Sequence, residues 1–409
     1  MTDGLVPDSQ WASARAAREA GPTWLATALQ EARSRSLALL AAWEDALGAD
    51  LLVACCAQLN PPLWEAGHVG WFQDWWIARN RQRRLGIACD PDHERPAGRM
   101  VGADALYDSS RVAHAARWQL ALPSIAATRA YLEAGLAQTL ELLARTPETQ
   151  EESYFFRLVL FHEDMHAEAG TYMAQALGVS LPPALRPGEA LLPASRALRV
   201  PGREWRTGYE GPGFAFDNEL PPHPLDLPAF EIDSVPVSWE RYLPFVESGG
   251  YRDARLWSPE GWQWREANRI DAPRYLRRLD GAWQRRLFGR WQALPVLAPA
   301  VHLSWFEADA WCRWAGRRLP GEAEWECAAL ADARFLWGHV WEWTASPFLP
   351  YPGFSAHPYR DYSRPWFGTR RVLRGASRAT SGRMAHPRYR NFFTPERNDL
   401  HAGFRSCAV

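Results

Sequence analysis

Two histidines four residues apart, His162 and His166, stand in the run RLVLFHEDMHAEAG. On a helix both imidazoles leave one face, a turn apart, which is the spacing by which a single helix offers two nitrogens to one metal ion. His68 lies in a second helical run, GHVGWFQDWW, and helical bundles commonly build metal sites from side chains on facing helices. Three neutral imidazoles suit Fe(II), Zn(II) or Cu(II) and leave coordination positions open for substrate or oxygen. An H-x-x-x-H pair alone is a weak signal, because incidental pairs on solvated faces are common. Here the N-terminal flank is apolar, and a buried unpaired imidazole costs free energy that a metal would remove. Glu65, Asp74, Glu163, Asp164 and Glu168 are close enough in sequence to orient ligating rings through their second nitrogens. The remaining histidines, among them His302, His339 and His401, form no second cluster in sequence.

These residues need elements to position them. TWLATALQEARSRSLALLAAWEDAL repeats apolar residues at helical spacing. A second helix is expected after Asn60-Pro61-Pro62, running through WEAGHVGWFQDWWIARNRQRR, a third over SIAATRAYLEAGLAQTLELLART, and a fourth over ESYFFRLVLFHEDMHAEAGTYMAQALG, ending at Gly178. Four long helices with one long connection, Leu85 to Leu122, predict an up-and-down bundle. Beyond the proline-rich stretch LPPALRPGEALLPASRALRVPG, short aromatic and aliphatic runs alternate with Gly and Pro turns, interrupted by two short helices, WERYLPFVESGG and SWFEADAWCRWAG. The expected division is a helical bundle over residues 1–185 and an irregular, loop-rich α+β domain over residues 195–409. A length of 409 residues fits two cores.

Composition excludes several function classes. A formal net charge of −1 gives no basic surface for nucleic acid or an anionic membrane. All 46 basic residues are arginine, which rules out lysine Schiff-base and P-loop chemistry. The 23 tryptophans exceed what a core of this size needs, so many must line clefts or an interdomain seam. The six cysteines form no C-x-x-C pair and read as reduced thiols. The polar start MTDGLVPDSQWASARAAREAG has no apolar signal core, and no apolar run reaches membrane-spanning length. A cytoplasmic location is expected.

With these residues in view, nearly the whole chain resembles the ergothioneine-type sulfoxide synthases and their relatives the selenoneine synthases. The first half looks like a DinB-type four-helix bundle, through PPLWEAGH ending at His68, H-x-x-x-H at His162 and His166, and the interhelix segment LYDSSRVAHAARW. The second half is similar to a formylglycine-generating-enzyme (sulfatase-modifying factor) domain of C-type-lectin-like fold. The matching segments, in order, are FEIDSVPVSWERYLPFVESGGY, LWSPEGWQW, VHLSWFEADAWCRWAGRRLPGEAEWECAA, GHVWEWTAS, RVLRGAS and RNFFTPERNDLHAGFRSC. The resemblance implies that His68, His162 and His166 bind iron(II). It also implies that, with O2, sulfur or selenium from a second small molecule is joined to imidazole C2 of hercynine (Nα-trimethylhistidine). Unactivated imidazole C2–H is inert to acid–base chemistry, which is why an oxidising metal is needed.

Departures from the family pattern bear on the second substrate. Met165 stands where the family commonly has a hercynine-binding glutamine, leaving Asp164 as one substitute contact. In the family's R-N-W-D stretch, here Arg390-Asn391-Phe392-Phe393, the hercynine-binding asparagine is kept and the aspartate that binds γ-glutamylcysteine is replaced by Phe393. Of two loop arginines for carboxylates, Arg111 is retained and His114 stands near the second place. These losses favour a neutral partner, a selenosugar, with Phe392 and Phe393 free to stack on a sugar or cage a trimethylammonium. The family's tyrosine near the iron corresponds to a segment holding Tyr351, Tyr359 and Tyr362, among which spacing does not choose; Tyr351 and Tyr359 are the candidates carried forward. The alternatives are a sulfoxide synthase using cysteine or γ-glutamylcysteine, a zinc-dependent thiol transferase on the same histidines, and a non-enzymatic lectin-like binding module. Formylglycine generation is not expected, because Cys407 stands alone late in the domain, and His339 replaces a family calcium-site asparagine.

Overall fold

The computed structural model describes residues 11–409; the first ten residues, part of the polar start read above, lie outside it. The helical half contains α1 (Ala12–Glu19), α2 (Pro22–Leu47), α3 (Pro62–Gln73), α4 (Ala103–Tyr107), α5 (Ile125–Leu143) and α6 (Gln150–Leu177). Its four long members follow the expected runs and their ends carry the expected signals. Pro22 and Pro62 occupy first-turn positions where the missing N–H costs nothing. The hydroxyls of Ser124 and Thr149 accept from the N–H groups of Ala127 and Glu152 to cap α5 and α6. Gly178 ends α6 in the left-handed region at φ 75°. One difference is α3, which the sequence pattern carries through Arg84 but which widens into a π-type turn at Asp74–Ala78 and stops. There Asp74 accepts from the backbone N–H of Arg99, and Arg79 pairs with Asp104, so the long connection is folded against the end of the helix.

Arg33 on α2 is buried, forks onto both oxygens of Glu163 on α6 at 2.7 and 3.0 Å and also donates to Gln73 on α3. This network ties three helices in one register. Helix α3 approaches the connection closely at Gly67, where a Cβ would lie 2.2 Å from the Tyr107 ring. Glycine is therefore required one residue before His68.

The second half begins with strands β1 (Ala197–Val200), β2 (Arg203–Thr207), β3 (His223–Leu227) and β4 (Phe230–Asp233), then helices α7 (Trp239–Glu247) and α8 (Pro259–Ala267). A meander follows, β5 (Leu276–Leu279), β6 (Ala282–Leu287) and β7 (Arg290–Ala293), and then α9 (Trp305–Trp314), β8 (Arg317–Arg318) and α10 (Glu322–Ala331). The chain closes with β9 (Trp341–Pro347), β10 (Arg371–Gly375), β11 (Asn391–Phe393), β12 (Ala402–Phe404) and β13 (Cys407–Ala408). Two small sheets, ordered β1-β4-β13-β8 and β11-β10-β9-β12, form the frame. Strand β12 runs parallel to β9 in the second sheet, so the C-terminal segment is threaded beside the WEWTAS strand. Buried ion pairs Arg374–Glu326 and Arg405–Glu342 pin this frame internally. The fold is thus a helical bundle followed by a sheet-rich α+β domain.

The two halves share one apolar core that runs from Leu25 and Phe155 to Trp343 and Phe404. Polar ties cross the seam as well: Arg18 forks onto Glu219 at 2.7 and 2.8 Å, Arg383 onto Asp164 at 2.9 and 3.0 Å, and Trp341 Nε1 donates to Glu168 at 2.7 Å. The acidic FDNE segment is therefore a turn whose Glu219 is consumed by Arg18. All six cysteines are unpaired, and only Cys55 is exposed. Among the described residues no helix is long and apolar enough to cross a membrane.

Candidate active site

The i,i+4 spacing on α6 puts His162 and His166 side by side, and α3 brings His68 to them. His162 Nε2 lies 3.2 Å from Nε2 of His68 and 3.2 Å from Nε2 of His166, and one ligand atom from each ring falls within 4.8 Å of the others. The second nitrogens decide which nitrogen faces the corner. His68 Nδ1 donates to the carbonyl of Tyr107 at 2.8 Å, and His166 Nδ1 donates to Glu65 Oε2. That leaves their Nε2 lone pairs directed at the common point. His162 Nδ1 is buried without a partner; its ring is held instead by face-to-face stacking on Phe72, with centroids 3.5 Å apart. Trp64 stacks in the same way on His68 at 4.8 Å.

A proton on His162 Nε2 bridges only one of the two close nitrogen pairs, whereas a cation between them takes all three nitrogens at once. A metal with nitrogen ligands at about 2.1 Å sets adjacent ligand atoms roughly 3 Å apart in a facial arrangement, and the two 3.2 Å separations match it. Electrostatics agree. Burial, with His166 adding to it, lowers His68 to about 3, and burial holds His162 well below the usual histidine range, so both rings are neutral ligands near pH 7. Burial would raise the Glu65 carboxyl, but His166 and Asn60 more than offset it and hold it at about 2. The residues present fit a single divalent metal.

The corner opens into a cleft of about 780 Å³ between the bundle and the sheet domain. Of the residues singled out from sequence, His114, Met165, Tyr359, Asn391, Phe392 and Phe393 line it together with the three histidines. Tyr359 packs edge-on against Phe72 at 4.9 Å and lies 6.4 Å from the His162 ring. Phe392 stacks on Phe348 at 4.0 Å, and the guanidinium of Arg397 covers Phe393 at 5.1 Å.

Four of the singled-out residues lie elsewhere. Asp164 is turned away and forks with Arg383, because a residue two positions after His162 points about 200° around the helix. Arg390 is buried against Glu322 at 2.8 and 2.9 Å, with Tyr351 packed under its guanidinium at 4.0 Å. Neighbouring strand residues face opposite ways, so Asn391 enters the cleft and Arg390 leaves it. Arg111 is 75% exposed, pairs with Asp108, and borders a neighbouring groove rather than the histidine cleft. Of the acidic residues read as ring-orienting, Glu65 alone bonds to one of the three histidines. Glu163, Asp164 and Glu168 bind Arg33, Arg383 and Trp341, and Asp74 binds the backbone of Arg99.

Several residues at or beside the cleft were not carried forward from sequence. Trp64 and Phe72 stand four residues before and after His68, on the same helical face, and that spacing was a usable signal. Tyr362 and Tyr389 join through their hydroxyls at 3.0 Å, and Tyr389 donates to Met165 Sδ at 3.6 Å. Tyr389 and Met165 are 224 positions apart, and nothing local in the sequence pairs them. His114 is fixed by Nε2–H donation to the Leu59 carbonyl at 2.8 Å.

A model of the sulfatase-modifying factor enzyme 1-like domain matches residues 187–339 and 332–408. Hercynine oxygenase from Mycobacterium tuberculosis is 32% identical, over 94% of this chain and 98% of its own length. Hercynine oxygenase from Mycolicibacterium smegmatis is 33% identical, over 93% and 97%. A formylglycine-generating enzyme from Streptomyces coelicolor is 29% identical over 55% of this chain and 93% of its own. Similarity at that level across both the histidine-bearing helices and the sheet domain means that this chain belongs to the hercynine oxygenase family.

Proposed function

We propose that this protein is a non-haem iron(II), O2-dependent enzyme that joins selenium of a selenosugar to imidazole C2 of hercynine. The observation that carries the reading is the convergence of three Nε2 atoms at the floor of an aromatic cleft. Full-length similarity to hercynine oxygenases supports the first substrate. The bundle, residues 1–185, holds the metal through His68, His162 and His166, and the sheet domain, residues 195–409, supplies the facing wall with Asn391, Phe392 and Phe393. Iron(II) with O2 supplies the oxidising power; the net change breaks a C–H and a Se–H bond, forms C–Se, and passes two electrons and two protons towards dioxygen.

The chain's own residues do the rest. Phe72 and Trp64 hold two ligand rings from their faces, while Glu65 and the Tyr107 carbonyl hold two from their edges. We assign proton delivery at the reacting imidazole to Tyr359, whose ring packs next to Phe72 and His162. The aromatic wall shields the site from water and suits a trimethylammonium or a sugar face.

The selenium donor is favoured over a charged thiol because the two residues at the family's carboxylate-binding positions, Arg111 and His114, are engaged. Arg111 is paired with Asp108, and His114 is held by Leu59. One observation favours the sulfur alternative, coupling to cysteine or γ-glutamylcysteine: Arg370 lines the cleft, its guanidinium lying over Trp366. A competition assay decides between them. Iron-loaded protein, hercynine and O2 are offered 1-seleno-β-sugar, thiosugar, cysteine and γ-glutamylcysteine together, and products are identified by mass spectrometry. The seleno-conjugate is expected to dominate; a cysteine or γ-glutamylcysteine sulfoxide as main product overturns the selenium assignment. Loss of both metal and turnover in His162→Ala, with the sheet domain still folded, is expected of the metal assignment, and retained activity overturns it.

A further inference from the structure

The cleft has two ends of different chemistry. Behind His166 it adjoins a chamber of about 230 Å³ that shares Met165, His166, Asn391 and Phe393 with it. On the hercynine reading above, the tail of that substrate belongs at this first end, beside Asn391. At the other end a groove of about 210 Å³ begins, and the residues common to cleft and groove are Ser109, Ser110, Tyr359 and Asp361. With hercynine at the first end, this second end is the wall that the donor of selenium or sulfur meets.

Asp361 is the one carboxylate among the described residues lining the cleft. It lies in the short turn Arg360–Tyr362, is exposed, and has its backbone carbonyl fixed by Trp366 Nε1 at 2.9 Å. The charges around it are already paired. Asp108 accepts from the N–H and hydroxyl of Ser110 at 3.0 and 2.6 Å and pairs with Arg111 at 3.2 Å, while Arg360 pairs with Asp92. Among the described residues no hydrogen-bond donor reaches the Asp361 carboxylate.

Burial and the charge of Asp108 raise the Asp361 carboxyl, with Arg360 pulling the other way. Tyr359 is raised by burial, by Asp361 and by Asp108, so both carboxylates act on the same end of the cleft. The cations of the cleft do not cancel them. Arg117 is spent on Asn60 at 2.7 Å and on the carbonyls of Ser109 and Val112 at 3.4 Å. Burial lowers Arg370, and the charges acting on it are those of Glu396 and Arg397, not Asp361. A carboxylate only accepts. One without a partner on a substrate-facing wall is complemented by hydroxyl groups and repels a second carboxylate.

We infer that Asp361 is the specificity-determining residue for the second substrate: its carboxylate takes the hydroxyl donors of a neutral sugar and turns away a thiol that carries a carboxylate of its own. The inference rests on the selenosugar reading above and names the group that enforces it. One side chain then supplies both the attraction and the repulsion on which discrimination depends.

The test is calorimetric binding to the iron(II)-loaded full chain with hercynine saturating, under anaerobic conditions where no turnover occurs. The probes are 1-thio-β-D-glucose, as a stable stand-in for the selenosugar, and γ-glutamylcysteine. Asp361→Ala is expected to weaken thiosugar binding about tenfold, as for loss of a hydrogen bond to a charged group, and to strengthen γ-glutamylcysteine binding about two- to fivefold. Hercynine, titrated separately, should bind this variant as it binds wild type, which shows that the cleft is intact. Asp361→Asn keeps an acceptor oxygen and removes the charge, so it should recover most of the thiosugar binding and still admit γ-glutamylcysteine. Unchanged thiosugar affinity in Asp361→Ala overturns the assignment, as does an equal loss for hercynine and thiosugar. Unchanged γ-glutamylcysteine affinity in both variants overturns the repulsive role. A wild-type protein that binds γ-glutamylcysteine more tightly than the thiosugar overturns the selenosugar reading itself.

Discussion

Glu65 is the residue through which the metal reading can be probed without touching a ligand. Its Oε2 accepts from His166 Nδ1 and its Oε1 from the amide of Asn60. The carboxyl sits at about 2 against an ordinary 4.5, a displacement corresponding to about 3 kcal/mol of preference for the charged form in the folded protein. Glu65→Gln keeps the shape and an acceptor oxygen but removes the charge. Carboxylates that orient a ligating imidazole typically contribute ten- to a hundredfold to metal affinity, so the variant should release iron(II) to a competing chelator with a dissociation constant raised by that factor, about 1.4–2.8 kcal/mol. A second readout is the metal-free protein in urea. The folded carboxyl is depressed, so its contribution is present above pH 4.5 and is lost as pH falls towards 2. The stability gap between wild type and Glu65→Gln should therefore be full at pH 6 and shrink below pH 4.5. If Glu65→Gln holds iron as tightly as wild type, Glu65 does not orient His166 and the argument built on its charge is wrong.

Other outcomes follow from the same geometry. His68 and His401 are lowered to about 3 and 4 by burial, so the unfolded chain binds more protons below its histidine value near 6.5. Metal-free protein should therefore lose stability steadily from pH 6.5 towards 4, and circular dichroism at fixed urea checks the slope. Tyr359→Phe should lower kcat by about a hundredfold if the hydroxyl transfers a proton. Tyr351→Phe, whose hydroxyl reaches only Glu322 at 3.4 Å outside the cleft, should leave kcat unchanged. Arg374→Met strips one fully buried partner from Glu326, which keeps Arg388 at 2.9 Å, and should destabilise the protein by about 1–3 kcal/mol, measured by urea unfolding.

What could be read directly were the features fixed by local periodicity. The spacing of His162 and His166 puts both rings on one helical face whatever surrounds them, and the apolar stripe on the same segment says that this face is covered. Proline at helix starts, capping hydroxyls and Gly178 marked the element ends for the same local reason. The family motifs also placed Asn391, Phe392 and Phe393 on the cleft wall without any coordinates. Tertiary structure decided the partners. Asp164 lies two positions from each of the α6 ligand histidines, yet helical geometry turns it to Arg383, 219 positions away. Glu65, one carboxylate among five candidates, is the one that reaches a ligand ring, because the α3–α6 packing and not the sequence distance sets who faces His166. Arg390 and Asn391 are neighbours with opposite fates, since a strand sends consecutive side chains to opposite faces and the pattern does not say which face is the cleft. His401 carried no signal at all in a scattered set of histidines; the pairing of β12 beside β9 is what buries it. Periodicity fixes which residues share a face, but only packing across the seam fixes what that face meets.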